Sequence, residues 1–146
     1  MAVTFTQLLV HVVFGTKHRA ASIRPEIREE LYSFMAAVVL RHGGQLVAIG
    51  GMPDHVHLLL RLKPYVPVSA MVRFVKSNSA RWLQERSGSA SGEFWQNGYG
   101  AFSVSESRSQ AVEIYIHNQE SHHSGKSFES EVEILLRRHN VCPRPS

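Results

Sequence analysis

The alternation of apolar and polar residues along the chain predicts four strands. Four stretches combine aliphatic, β-branched and aromatic side chains without a proline: residues 5–14, 45–49, 55–62 and 98–104. Runs of this length and composition are typical of strands. Because Gly50, Gly51 and Pro53 form a turn between the second and third runs, these two strands should pair as an antiparallel hairpin.

Four other segments repeat apolar residues every three or four positions, which is the spacing of a helix. They cover residues 25–42, 68–84, 107–120 and 128–139. Pro25 suits the first turn of the first helix, and Gly43 and Gly44 follow its end as C-cap residues do. Ser107 and Gln110 match a capping box, so they predict the start of the third helix.

The order of these elements predicts an α+β protein with a ferredoxin-like (RRM-like) split βαβ fold. Its four-stranded antiparallel sheet carries two helices on one face, and a C-terminal helix with Tyr115 would follow. We expect a single domain over residues 1–146, with a core of about 5–121 and a helical tail of about 122–146. Residues 87–92 are rich in serine and glycine and predict a loop. A ligand, a partner or the Tyr115 helix must cover the second face of the sheet.

The composition places the chain among soluble proteins. Apolar residues make up 43% of the 146 residues, which is ordinary for a globular protein. No apolar run reaches the roughly 18 residues of a membrane-spanning helix, and the first residues lack the basic and apolar regions of a secretory signal. The single cysteine, Cys142, can form no internal disulfide. We therefore expect a cytoplasmic protein with no membrane association.

The formal net charge of +4 at pH 7 is compatible with a polyanionic partner such as nucleic acid. Basic residues that could neutralise backbone phosphates follow the first strand and lie on the second helix: Lys17, Arg19, Arg73, Lys76 and Arg81. Four aromatic residues near the last strand could stack on unpaired bases, although we expect at least two of them in the core: Phe94, Trp95, Tyr99 and Phe102.

The third predicted strand opens with His55, Val56 and His57. Strand side chains alternate between the two faces of a sheet, so both imidazoles should lie on one face while Val56 and Leu58 enter the core. Two histidines at positions i and i+2 can supply two metal ligands without backbone strain. A pair of this kind also occurs on strand surfaces with no site. The preceding Pro53 and Asp54 fix the start of the strand.

Tyr115 and Gln119 are four residues apart on the third helix, so their side chains lie on one face. One interpretation makes the Tyr115 hydroxyl a nucleophile and the Gln119 carbonyl a third metal ligand. The alternative is an aromatic residue at a helix–sheet seam and an amide that caps the helix end. We interpret His11, His18, His42 and His139 as structural, and His122 and His123 as residues near the metal or the DNA.

Taken together, these motifs resemble the HUH single-tyrosine transposases of small bacterial insertion sequences, the Insertion-Sequence-two-hundred type. The resemblance extends over nearly the whole chain. It is carried, in order, by His11–Arg19, Met52–Leu60, Lys76–Arg81, Phe94–Tyr99 and Tyr115–Gln119. The His-Val-His triplet is a weak signal alone and a strong one when the Tyr-Ile-His-Asn-Gln block follows it.

The resemblance implies a function. His55 and His57 would be metal ligands, Gln119 the third, and Mg²⁺ or Mn²⁺ the metal. Tyr115 would attack single-stranded DNA at hairpin-bearing transposon ends and form a 5′-phosphotyrosine bond. Members of the family are homodimers in which the tyrosine helix of one subunit can serve the histidines of the other, and the protein would be bacterial or archaeal. The base that deprotonates Tyr115 stays unassigned, because Asp54 is the one nearby carboxylate and it fits a role in the turn.

Other functions use parts of the same pattern. A non-catalytic RRM-like module that binds single-stranded nucleic acid would need exposed aromatic residues on its central strands, where this chain has histidines. A histidine-triad nucleotide hydrolase would need a third alternate histidine, and this position is Leu59. A domesticated relative that processes repeats has the same sequence features as a mobile transposase.

Overall fold

The computed structural model describes residues 2–87, 93–122 and 127–142. Its sheet has four strands in the order β2-β3-β1-β4: β1 (Leu9–Gly15), β2 (Gly44–Met52), β3 (His55–Leu62) and β4 (Gly100–Val104). All neighbouring strands are antiparallel. The predicted hairpin of the second and third strands is present, since Met52 pairs with His55 across the turn. The first strand begins at Leu9 rather than at residue 5.

The helices of the described residues lie close to the predicted segments, except that the third predicted helix starts later and is divided in two at Asn118. They are α1 (Pro25–Arg41), α2 (Val68–Ser87), α3 (Ser109–His117), α4 (Gln119–His122) and α5 (Phe128–Arg138). The predicted capping box at Ser107 is wrong, because Glu106–Arg108 form a 3₁₀ turn and α3 begins only at Ser109. The predicted serine- and glycine-rich loop lies outside the described residues from position 88 onward.

One face of the sheet packs against α1 and α2. Alternate strand residues such as Val12, Leu58 and Leu60 enter this core and are fully buried. Both helices present aliphatic residues to them, which is why their apolar residues recur at helical spacing. The helical partners in this core are Leu31, Met35, Val38, Val39, Met71, Val72, Val75, Trp82 and Leu83.

The second face of the sheet is covered by α3, α4 and α5. Ile116 of α3 packs on Leu59 of β3, and Phe128 and Leu135 of α5 pack near Val13. Gly50 of β2 allows α3 to approach, because a Cβ atom there would lie 2.1 Å from the Ile116 carbonyl oxygen. A backbone contact of this kind leaves no room for a side chain.

The split βαβ, ferredoxin-like architecture is therefore confirmed: an antiparallel four-stranded sheet has two helices on one face and the Tyr115 helix on the other. Of the helices in the described ranges, none combines the length and apolar character needed to cross a membrane. The paired imidazoles of His55 and His57 lie on the second face, under α3, α4 and α5.

Candidate functional site

His55 and His57 lie side by side on the second face of the sheet, as their spacing predicts. Both side chains are fully buried, at 0% exposure, and their ring centroids are 5.1 Å apart. They lie on β3, the second strand from one edge, which fixes their backbone through hydrogen bonds to both β1 and β2. The two imidazoles are therefore held on a rigid support.

A neighbouring polar group orients each imidazole. The Nδ1 of His55 donates to Oδ1 of Asp54 at 2.7 Å, so Asp54 does more than form the turn. The Nδ1 of His57 shares a hydrogen bond of 2.9 Å with Nε2 of His11, and the two rings are stacked. This leaves Nε2 of both His55 and His57 facing the same space. Partners on the second ring nitrogen are characteristic of metal-binding histidines.

His11 is one of the site residues that sequence reasoning missed. Its predicted role is structural, yet it is buried against His57 and contacts the Tyr115 ring edge-on at 6.1 Å between centroids. Burial, together with the adjacent His57, lowers the pKa of His11 to about 3, so His11 is neutral near pH 7. Its position on β1, with the side-chain direction of Leu9 and Val13, is the sequence signal that places it on this face.

Tyr115 and Gln119 both reach this space, although they do not lie on one continuous helix. Helix α3 ends at His117 with Asn118 as its C-cap, and α4 begins at Gln119. The side-chain nitrogen of Gln119 donates to the Tyr115 carbonyl at 3.2 Å, while its Oε1 lies 3.3 Å from Nε2 of His55. The amide thus caps the end of α3 and also faces the histidine pair. The Tyr115 ring meets His57 edge-on, with centroids 5.6 Å apart.

Glu131 is the second residue that sequence reasoning missed. It projects from α5 into the site, where only 5% of the residue is exposed. Its Oε1 lies 3.1 Å from Nε2 of His57, and its Oε2 lies 3.5 Å from Nε2 of His55. The Tyr115 hydroxyl donates a hydrogen bond to the same carboxylate. Because Glu131 is 74 to 76 residues from the histidines in sequence, no local pattern connects them.

The electrostatics of the site follow from this carboxylate. Burial disfavours the charged form of Glu131, but the hydrogen bonds from His55 and His57 outweigh it and lower the pKa of Glu131 to about 2. Burial likewise disfavours the charged form of His55, but the hydrogen bonds to Glu131 and Asp54 raise its pKa above the ordinary value. The imidazoles that contact Glu131 therefore stabilise its negative charge, and the carboxylate in turn favours the protonated form of His55.

The cluster has the composition of a metal site. One ligand atom from each of His55, His57 and Glu131 can be chosen so that all lie within 4.8 Å of one another. Ligand atoms bonded at about 2.1 Å to one cation, at tetrahedral or octahedral angles, lie about 3.0–3.4 Å apart. Three separations are close to this range: 3.1 Å from His57 Nε2 to Glu131 Oε1, 3.3 Å from His55 Nε2 to Gln119 Oε1, and 3.5 Å from His55 Nε2 to Glu131 Oε2. These residues fit a divalent metal ion.

The start of α5 closes one side of the site. The Phe128 ring stacks on His55 with centroids 4.4 Å apart, and the guanidinium carbon of Arg19 lies 4.4 Å from the centroid of the Phe128 ring. Arg19 also donates to Glu129 and to Gln96. Arg19 therefore ties the turn after β1 to α5 and to the segment before β4.

A cleft opens on the other side of Tyr115, between β4, α3 and α5. Its volume is about 370 Å³, and Tyr115 and His11 form its inner wall. Two arginines line it, Arg108 before α3 and Arg138 at the end of α5. His139 lines it as well, and burial lowers the pKa of this histidine below its ordinary value. Arg108 and Arg138 are not among the basic residues that the sequence predicts as DNA contacts.

The structure separates the predicted DNA-binding residues into two groups. Lys17 and Arg19 lie in the 3₁₀ turn beside the site, where Lys17 pairs with Glu93. The other three lie on α2, which packs on the opposite face of the sheet: Arg73, Lys76 and Arg81. Lys76 donates to the carbonyls of Gln96 and Gly98 at 2.7 and 2.9 Å, so it supports the chain before β4.

The four aromatic residues near β4 differ in their exposure to solvent. Trp95 and Phe102 are buried, as expected for at least two of the four, and Trp95 donates to Ser79 of α2 at 2.9 Å. Tyr99 is exposed and Phe94 packs at the edge of the core. The side chains of His122 and His123 lie outside the described part of the structure.

Comparison with known proteins gives one family. A family model described as "Transposase IS200 like" matches residues 4–119. The ISDra2 transposase TnpA of Deinococcus radiodurans is 28% identical over 118 residues, which cover 77% of this chain and 84% of that protein. The transposase for insertion sequence element IS200 of Salmonella typhimurium is 25% identical over 123 residues, or 81% of each chain.

Solved structures give the same fold. A crystal structure assigned as a transposase of Deinococcus radiodurans superposes with a TM-score of 0.64 at 28% identity, covering 82% of this chain and 95% of that one. A REP-associated tyrosine transposase bound to a REP hairpin superposes with a TM-score of 0.63, covering 85% and 73%. At 13% identity this second likeness concerns the fold alone.

Proposed function

The chain belongs to the family of IS200-like transposases, and from this premise we propose that it cleaves and rejoins single-stranded DNA through Tyr115. The observation that carries the proposal is the contact between the Tyr115 hydroxyl and a carboxylate that itself faces both His55 and His57. The proposed nucleophile and the residues proposed to hold a metal ion thus lie together within one chain. Nucleophile and activating groups within hydrogen-bond reach are the expected signature of covalent catalysis.

In this proposal the Tyr115 oxygen attacks a DNA phosphorus and forms the phosphotyrosine bond. The bond from phosphorus to the 3′-oxygen breaks, and this oxygen leaves as a hydroxyl while the phenol loses its proton. The protein then carries the 5′-phosphate end. Attack by a free 3′-hydroxyl reverses the step and rejoins the strand, since the phosphotyrosine conserves the energy of the broken bond.

The metal ligands in the proposal are His55, His57 and Gln119. The bound ion, Mg²⁺ or Mn²⁺, would polarise a phosphate oxygen and stabilise the charge that develops during the displacement. His11 and Asp54 orient the two imidazoles through their second nitrogens. Gln119 both positions the end of α3 and presents its oxygen to the site.

The cleft beside Tyr115 provides a route for the substrate backbone. Its two arginines, Arg108 and Arg138, suit phosphate groups, and its inner wall carries the proposed nucleophile. By contrast, a non-catalytic RRM-like module binds on an open sheet face, whereas α3 and α5 cover this face here. The covered face favours the enzyme over the binding module.

Replacing Arg138 by glutamine is expected to weaken binding of single-stranded DNA, because one phosphate contact in the cleft is lost. The dependence of log Kd on log salt should also fall, by about 0.7 for a single-strand phosphate contact. Fluorescence anisotropy at several salt concentrations measures both quantities. Arg137→Gln is the matched control, since Arg137 is exposed on the same helix and does not line the cleft. Equal effects of the two substitutions would contradict the proposed route.

The proposed substrate is a single strand with hairpin ends, in a cytoplasmic, DNA-associated setting. Binding of a REP hairpin by the structural relative supports this class of DNA. Family resemblance also predicts a homodimer, in which the tyrosine helix of one subunit can serve the histidines of the other. Tyr115 lies beside the histidines of the same chain, so an active site assembled in cis needs no second subunit.

The direct test is incubation with end-labelled DNA, followed by denaturing electrophoresis. Labelled single strands that cover the DNA flanking the gene should give a covalent protein–DNA species in Mg²⁺ or Mn²⁺. The same sequences as perfect duplexes, and reactions with a chelator, serve as controls and should give none. A covalent product from duplexes alone, or none from any strand, would overturn the proposed function.

A further inference from the structure

Glu131 makes contacts that the proposed ligand set does not use. It is the inward-facing member of three alternating acidic residues on α5, since Glu129 and Glu133 are exposed. Its carboxylate faces Nε2 of both histidines and accepts a hydrogen bond from the Tyr115 hydroxyl. This residue lies beyond the part of the chain that matches the family, residues 4–119.

The charge balance of a bound divalent cation favours an anionic ligand such as Glu131. His55, His57 and Gln119 are neutral when they bind a metal through imidazole nitrogen and amide oxygen. A divalent cation held by these ligands alone would leave two positive charges in a pocket whose histidines are fully buried. Burial of uncompensated charge is costly. Glu131 brings a negative charge and the hard oxygen ligand that Mg²⁺ and Mn²⁺ prefer.

The two oxygens of Glu131 face different histidines: Oε1 lies 3.1 Å from Nε2 of His57, and Oε2 lies 3.5 Å from Nε2 of His55. Neighbouring ligands of one cation lie about 3.0–3.4 Å apart, and 3.1 Å is also the length of an ordinary hydrogen bond between an imidazole and a carboxylate. Metal binding separates the two arrangements, because a ligand is needed to hold the ion whereas a carboxylate that only occupies the place of the ion competes with it.

The docking of α5 holds the carboxylate in this position. Phe128 stacks on His55 three residues before Glu131, and Leu135 is buried one turn after it. Ser127 caps the helix by accepting from the Ser130 backbone nitrogen at 3.2 Å. The side chain between these anchors is therefore directed at the histidine pair.

We propose that Glu131 is a ligand of the active-site metal ion and, through the same carboxylate, holds the Tyr115 hydroxyl beside that ion. This inference rests on the proposed function and adds a residue to it. α5 then completes the site: the sheet supplies two nitrogen ligands, α4 an amide oxygen, and α5 the anionic oxygen that also positions the nucleophile.

The test is Mn²⁺ binding to the full chain without DNA, measured from the electron paramagnetic resonance signal of free Mn²⁺. Glu131→Gln keeps the shape of the side chain and removes its charge. We expect it to weaken Mn²⁺ binding by at least tenfold, the lower end of losses seen even for groups that only support a ligand. Glu133→Gln, on the exposed side of α5, is the matched control and should bind like the wild type. Circular dichroism verifies that each variant is folded.

Each outcome decides the matter. Wild-type or tighter Mn²⁺ binding by folded Glu131→Gln would overturn the inference. The carboxylate would then have occupied the place of the ion instead of binding it. If Glu131→Gln does not fold, Glu131→Asp keeps the charge but shortens the reach, and unchanged affinity in that variant would equally overturn it. If the wild type neither binds Mn²⁺ nor cleaves single strands, the proposed function itself is rejected. If cleavage requires Mn²⁺ and all variants bind Mn²⁺ with the same affinity, only the proposed role of Glu131 is rejected.

Discussion

Tyr115→Phe is expected to abolish the covalent protein–DNA species while single-stranded DNA still binds. Phenylalanine retains the ring that packs edge-on against His57 and His11 but has no oxygen to attack phosphorus. Loss of a nucleophile typically costs more than about 10³-fold in rate, so the labelled covalent band should disappear. Denaturing electrophoresis measures the band, and anisotropy measures the binding.

Tyr99→Phe is the matched control for this substitution. Tyr99 is exposed before β4 and contributes no group to the histidine site, so its loss should leave the band intact. A covalent species that persists in Tyr115→Phe would show that another residue is the nucleophile. A simultaneous loss of DNA binding would indicate that the hydroxyl serves binding as well as attack.

His57→Ala is expected to remove metal-dependent cleavage and to weaken Mn²⁺ binding. The substitution deletes one nitrogen ligand and also the partner of His11, whose Nε2 lies 2.9 Å from Nδ1 of His57. Losing a direct ligand should reduce cleavage by at least about 100-fold, the upper end of what loss of a supporting group costs. Cleavage of a labelled single strand over a Mg²⁺ and Mn²⁺ titration measures this effect.

His42→Ala provides the comparison, because His42 stacks on Phe74 with ring centroids 3.9 Å apart and lies on the other side of the sheet. It should retain cleavage in both metals. Undiminished activity of His57→Ala in Mg²⁺ would contradict the ligand role. Thermal unfolding of both variants without metal separates a lost ligand from a lost fold, since truncation of a buried side chain itself destabilises a protein.

The geometry of the site also bears on how subunits cooperate. Within one chain, α3 follows β4 through a single 3₁₀ turn and packs directly on β2, where Gly50 admits its backbone. This packing brings Tyr115 to the histidines of the same chain. An exchange of tyrosine helices between subunits would have to release the contact of Ile116 with Leu59 and the contact of Tyr115 with Glu131. The trans arrangement therefore stays a prediction of family resemblance.

Much of the fold could be predicted because it is encoded in local periodicity. The alternation through Val56 and Leu58 separates two faces of β3, and the helical spacing of α1 and α2 supplies a matching apolar layer. The same period of two places His55 and His57 together on the second face. Boundaries were less accurate: the capping pattern at Ser107 was overridden by a 3₁₀ turn.

The sequence by itself thus determined the sheet, its helical layer, the paired imidazoles and the family, since each depends on residues near one another in the chain or on an ordered set of motifs. Only the tertiary structure decided that His11 supports His57 and that Glu131 joins the histidines and Tyr115. These contacts require strand register and the docking of α5, which brings a glutamate to histidines 74 to 76 residues earlier in the chain. Three acidic residues alternate along α5, and the direction in which that helix packs selects the one that enters the site.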